Sequence, residues 1–116
     1  MSIEFTAADE VRGAIARIGR TEDVQFSPDG DRLAVAGFNE NRLLILGIDA
    51  RRDGESLTVS LSGALEVESE VLQHPHGLSW IDQRTLVVAN RTGGLAIFEL
   101  PDQPETGRIR LSPVQC

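Results

Sequence analysis

The sequence predicts an all-β fold in which one four-stranded antiparallel unit is laid down twice within a single small domain. Three observations carry that expectation. A turn of defined chemistry stands at Ser27-Pro28-Asp29-Gly30, and apolar runs of strand length flank it. The same series of segments then returns about 52 residues further on.

The first unit begins at "EDVQF", where Val24 and Phe26 alternate with polar residues as in a strand with one wet face. Ser27-Pro28-Asp29-Gly30 then meets the preferences of a type I turn, with Pro fixing φ at the second position and Gly closing the turn. "RLAVAG" follows and is apolar on both faces, which suits a strand covered above and below. "FNEN" supplies Asn residues that tolerate the left-handed backbone of a tight hairpin, and Leu43 to Ile48 make the third strand. In "SLTVSLS", Leu57, Val59 and Leu61 alternate with Ser and Thr, as an outer strand does.

The second unit repeats the order. "HGLSW" stands where "DVQFS" stood, "TLVVAN" matches "RLAVAG", "RTGG" is the hairpin turn, and "LAIFEL" matches "LLILGI". Trp80 takes the place of the turn proline and is read as a packing residue at the junction between units. A strand–turn–strand–hairpin–strand–outer-strand unit at this period is the blade of a β-propeller. Blade one is expected over about residues 19–70 and blade two over about 71–116, with "RIRLS" beginning the outer strand of the second. Residues 1–18 have two readings. Either "IEFT" is the outer strand of a preceding blade, or a short helix runs from Ala8 to Ile18 with Thr6 and Asp9 as a capping pair.

Two blades do not close a ring, so the chain reads as a partial propeller, a fragment of a six- or seven-bladed ring, or a unit that self-associates through exposed blade faces. Each end face of about 500 Å² would be worth roughly 12 kcal/mol if buried. That is comparable with the whole net stability of a domain, about 5–15 kcal/mol.

Composition narrows the functions. The net charge of −7 repels phosphate backbones and anionic lipid, so neither nucleic acid nor membrane is an expected partner. Four Phe, one Trp and no Tyr leave little for stacking sugars or bases. "MSIEFTAADEVRG" lacks the basic start and apolar run of a secretory signal, and a cytoplasmic protein is expected. Cys116 is the single cysteine and forms no internal disulfide.

"FSPDGDRLAVAG…NRLLILGID" resembles repeats of the β-propeller superfamily, including the WD-repeat-like, YVTN-type and lactonase-type propellers, over roughly residues 20–100. No Trp-Asp dipeptide ends the third strands, where Gly47-Ile48-Asp49 and Phe98-Glu99-Leu100 stand. A narrower likeness lies in "HPHGLSWIDQRTLVVAN", which is similar to the innermost-strand start of calcium-dependent lactonases and esterases of the paraoxonase and gluconolactonase kind. That resemblance implies a tunnel-facing, catalytic role for His76 and calcium as cofactor.

Read from residue chemistry, His74 and His76 flank Pro75 where loops would face the tunnel mouth. An imidazole there suits a general base or an orienting donor, and equally a loop histidine bonded to backbone. A His-x-His pair without carboxylate or Cys partners in register assigns no metal site. Asn90 and Arg91 follow the second strand and complete the candidate ligand-binding set with His74 and His76, while Asn39 and Asn41 fill the matching hairpin. Oxygen atoms there suit calcium, and turn chemistry accounts for the same residues. Asp29 and Asp82 read as turn residues. The function expected is non-enzymatic binding of a protein or small ligand. The alternatives are a lactone or ester hydrolase using His76 and a ring-forming lectin-like oligomer.

Overall fold

A computed structural model describes residues 2–102 and 106–114. The elements follow in chain order: β1 (Ser2–Ala7), α1 (Asp9–Arg17), β2 (Thr21–Phe26), β3 (Arg32–Gly37), β4 (Arg42–Asp53), β5 (Ser56–Glu68), β6 (Pro75–Trp80), β7 (Thr85–Asn90), β8 (Leu95–Glu99) and β9 (Gly107–Arg110). One sheet has the order β1-β5-β4-β3-β2 with β9 also on β5, and a second has the order β6-β7-β8. The all-β, paired-blade architecture expected from the duplication is present.

Local chemistry explains the first sheet. Gly30 N donates to the Ser27 carbonyl at 2.8 Å, closing the turn, and Gly30 takes φ +77°. Ser27 Oγ accepts from Arg32 N at 3.1 Å, which starts β3. β3 and the first half of β4 are apolar on both faces and largely buried. Asn41, at φ 51°, turns the chain between them. The pairing of β4 with β5 shifts register between Gly47 and Ile48, a bulge beyond which the hairpin runs on into an exposed arm. The outer edge of β5 is shared by two short parallel strands, β1 along Ser56–Leu61 and β9 along Leu65–Glu68.

Residues 1–18 hold both a strand and a helix, and among the described residues no preceding blade takes the strand. "IEFT" is a strand, but on the outer edge of the first sheet itself, and the helix follows it. The capping pair does not form, because β1 engages Thr6, whose Oγ1 bonds to Ser60 Oγ at 3.0 Å, and Ala8 is the N-cap. Asp9 and Glu10 in the first turn and Arg17 in the last still complement the helix dipole.

The second sheet has three strands among the described residues. The segment expected to begin its outer strand, "RIRLS", instead contributes to β9, whose residues Gly107–Arg110 pair with β5. Arg108 finds Glu66 there, at 3.3 Å, and Ile109 packs on the core. The chain reaches the edge of the second sheet further on, where Val114 N donates to the Ile97 carbonyl at 2.8 Å.

Two cores result. Between the sheets, Ala34, Ala36, Leu43, Ile45, Leu65 and Val67 meet Leu78, Leu86, Val88, Ala96 and Phe98. On the other side of the first sheet, Val11, Ala14 and Ile18 of α1 pack against Val35, Leu44, Leu46, Leu61 and Ala64. One of the two end faces expected to stand uncovered is therefore largely covered, by the chain's own helix. The uncovered positions of that face lie on the innermost strand, where Val24 is 52% and Phe26 58% exposed.

Candidate functional site

His74, Arg91 and the hairpin Asn41 come together at one end of the sheets, around Phe38. His74 takes a positive φ of 55°, and its N donates to Asn41 Oδ1 at 2.7 Å. Its ring centroid lies 4.8 Å from that of Phe38, and its Nδ1 is 3.3 Å from Thr92 Oγ1. The Arg20 guanidinium sits 4.8 Å from the Phe38 centroid and that of Arg91 sits 6.0 Å from it. The Phe ring face attracts both cations.

His76 is one step away on β6, half exposed, with Nδ1 3.9 Å from Glu22 Oε1. Glu22 is already paired with Arg20 at 2.8 Å. Asn90 is a structural lock. Its Oδ1 accepts from Gln73 N at 2.9 Å, and its Nδ2 donates to the carbonyls of Val71 and Gly94 at 3.0 and 3.3 Å. Asn39 is exposed in its hairpin. Cys116 lies outside the described residues.

Asp23, on β2, is committed elsewhere, and so is Asp82, in the hairpin turn at the opposite end of β6. Asp23 Oδ2 accepts from Leu78 N at 2.9 Å. Asp82 Oδ1 accepts from the backbone of Arg84 and Thr85, at 2.8 Å each, and these N–H groups hold its carboxyl below the usual range. No three His, Cys, Asp or Glu side chains converge among the described residues. The oxygen donors present do not fit a calcium ion, which wants six or more such ligands. Sequence reading missed Phe38, Arg20 and Thr92 at this end. Phe38 was the accessible signal, as the one aromatic residue in the first hairpin loop.

Trp80 sits at the junction between sheets. It pairs with Leu86 as Phe26 pairs with Leu33, so its structural counterpart is Phe26 and not the turn proline. The ring packs on the inter-sheet core, and Nε1 donates to the Gln25 carbonyl at 2.9 Å.

The second feature is a face. Strand alternation sends Leu86, Val88, Ala96 and Phe98 toward the first sheet, and Val87, Ala89, Leu95 and Ile97 the other way. Val87 pairs with Ile97, and Ala89 with Leu95, so the four form one apolar patch on the far side of the second sheet. Val87, Ala89 and Ile97 are half-buried, and Leu95 is 59% exposed. In the duplication they correspond to Ala34, Ala36, Leu43 and Ile45. Those four are at most 5% exposed, because the second sheet lies on them.

Residues 4–100 match the family described as lipoprotein LpqB beta-propeller domain. Neither the curated proteins nor the solved structures gave a match. The family's description corrects the expectation of a cytoplasmic protein, since it names a lipoprotein. That expectation rested on the character of residues 1–13, which do not report where a folded domain is held. No helix among the described residues is long and apolar enough to cross a membrane.

Proposed function

The chain belongs to the family of lipoprotein LpqB β-propeller domains, and on that footing we propose that it acts without catalysis, as a propeller segment whose far sheet face receives a blade of a protein partner. The observation that carries this reading is positional. Val87, Ala89, Leu95 and Ile97 repeat the residues by which the first sheet holds the second. A face built on the same plan fits the same occupant, a sheet presenting residues like Leu86, Val88 and Phe98. Contiguous apolar residues on a sheet face mark an interaction surface.

A photo-reactive residue at position 87, introduced in the producing cells, tests it. The reading expects cross-links to a partner polypeptide whose joined peptide maps to a propeller strand. The same label at Arg51, on the exposed arm, should give none. No adduct at 87, or equal capture at both positions, overturns the reading.

The hydrolase reading, with His76 acting on a lactone or ester, has less support. Glu22, the carboxylate near His76, is neutralised by Arg20, and the neighbouring Asp23 and Asn90 are engaged by backbone groups. Calcium-dependent turnover of a lactone panel that is lost in His76→Ala would restore it. The lectin-like alternative has few aromatic faces to offer a sugar.

A further inference from the structure

We propose that α1 is an intramolecular cap, seated where a second copy of this chain would otherwise dock by its far sheet face. The proposal rests on the reading of that face as a blade-receiving surface, and adds what keeps this chain from receiving itself.

The two blades supply the comparison. In the second, Leu86, Val88, Ala96 and Phe98 bury against the first sheet. Their counterparts in the first are Leu33, Val35, Leu44 and Leu46, and these bury against Val11, Ala14 and Ile18 of α1. The helix thus takes the place a neighbouring sheet has at the other junction. Its cover stops short of β2, where Val24 and Phe26 stand open. Their counterparts Leu78 and Trp80, by matching strand register, pack on the first sheet. Without α1, the chain would present complementary faces on opposite sides. Such heterologous faces build rings or open chains of copies rather than closed pairs.

The cap is held at two points. Arg17 donates through Nε and Nη2 to both oxygens of Glu66, at 3.2 and 3.1 Å. At the other point the helix end lies directly on Gly37. A Cβ there would meet Ile18 Cδ1 at 2.7 Å and the Ile18 carbonyl at 2.9 Å. Gly37→Ala is therefore a lever under the end of α1, and Val11→Asp places a charge in its buried face.

Sedimentation velocity across a wide concentration range, with circular dichroism to confirm retained strand structure, tests the proposal. Gly37→Ala and Val11→Asp should at least roughly double the weight-average mass relative to wild type as concentration rises. Ile97→Asp added to either variant should abolish the growth, and so should a synthetic peptide of residues 7–18. Growth that ignores both additions is non-specific, and overturns the proposal. So does a folded variant that does not grow, or a wild type that grows equally. Cross-linking at position 87 reads the partner-docking face separately, so a failed cap with intact cross-linking leaves that reading standing.

Discussion

Trp80 Nε1 donates to the Gln25 carbonyl oxygen across 2.9 Å, tying the innermost strand of one sheet to that of the other through a side chain. Asp23 makes a second tie, accepting from Leu78 N at 2.9 Å. The junction between sheets is therefore apolar in its depth and hydrogen-bonded along its inner edge.

Trp80→Phe should keep the packing and lose the bond, costing about 1 kcal/mol in urea denaturation. Because Trp80 and Asp23 tie the same pair of strands, Trp80→Phe with Asp23→Ala should depart from additivity by about 0.5 kcal/mol or more. Strict additivity in the double-mutant cycle would show that the two ties act independently.

Phe98→Ala should be far more costly, about 3–5 kcal/mol, because the ring is fully buried between the sheets and the strands around it cannot collapse into the space. Calorimetry that places the loss near that of an exposed Leu95→Ala control would contradict the assignment of the inter-sheet core.

Glu66 is expected to make stability fall in acid. Burial works to raise its pKa, but hydrogen bonds from Arg17 and Arg108 more than offset this and leave it below the usual carboxylate value. The folded state therefore holds Glu66 ionised where the unfolded chain is already taking up a proton. Its contribution is complete above the ordinary glutamate pKa and is lost as pH falls through the lower folded value. Glu66→Gln should cost about 1–2 kcal/mol near neutrality, since Arg17 and Arg108 lose a charged acceptor but remain half in water. It should also flatten the acid limb of a stability-against-pH curve, and an unchanged limb would assign that limb to other carboxylates.

His76→Ala should alter stability by less than about 0.5 kcal/mol, since the imidazole is half exposed. Cross-linking from position 87 should be unchanged in the same variant. Loss of the adduct would move the binding surface to the loop end around Phe38.

How much of this was legible depended on how local the cause was. The Ser27–Gly30 turn is written in its own residues, and it formed as read. The duplication showed which residues share a strand face, since Leu33 and Val35 alternate with Ala34 and Ala36 as Leu86 and Val88 do with Val87 and Ala89. It could not show that a helix would do the covering, because α1 lies outside the repeat. The partner of Gly107–Arg110 was illegible for a similar reason. Arg108 meets Glu66 there, 42 residues away in the chain, and Ile109 packs on the core between the sheets. The loop-end group was seen in part, since His74 and Arg91 stood beside the repeated strands. Arg20 and Phe38 reach it only through tertiary folding.

The outer edge of β5 is completed by two strands from far apart in the chain, β1 before it and β9 well after it. A ribosome releasing this polypeptide therefore exposes Leu65–Glu68 with an unsatisfied ladder until residue 110 has emerged. During that interval another nascent chain can pair there in place of β9, so slower translation of the intervening residues should favour misassembly over native closure.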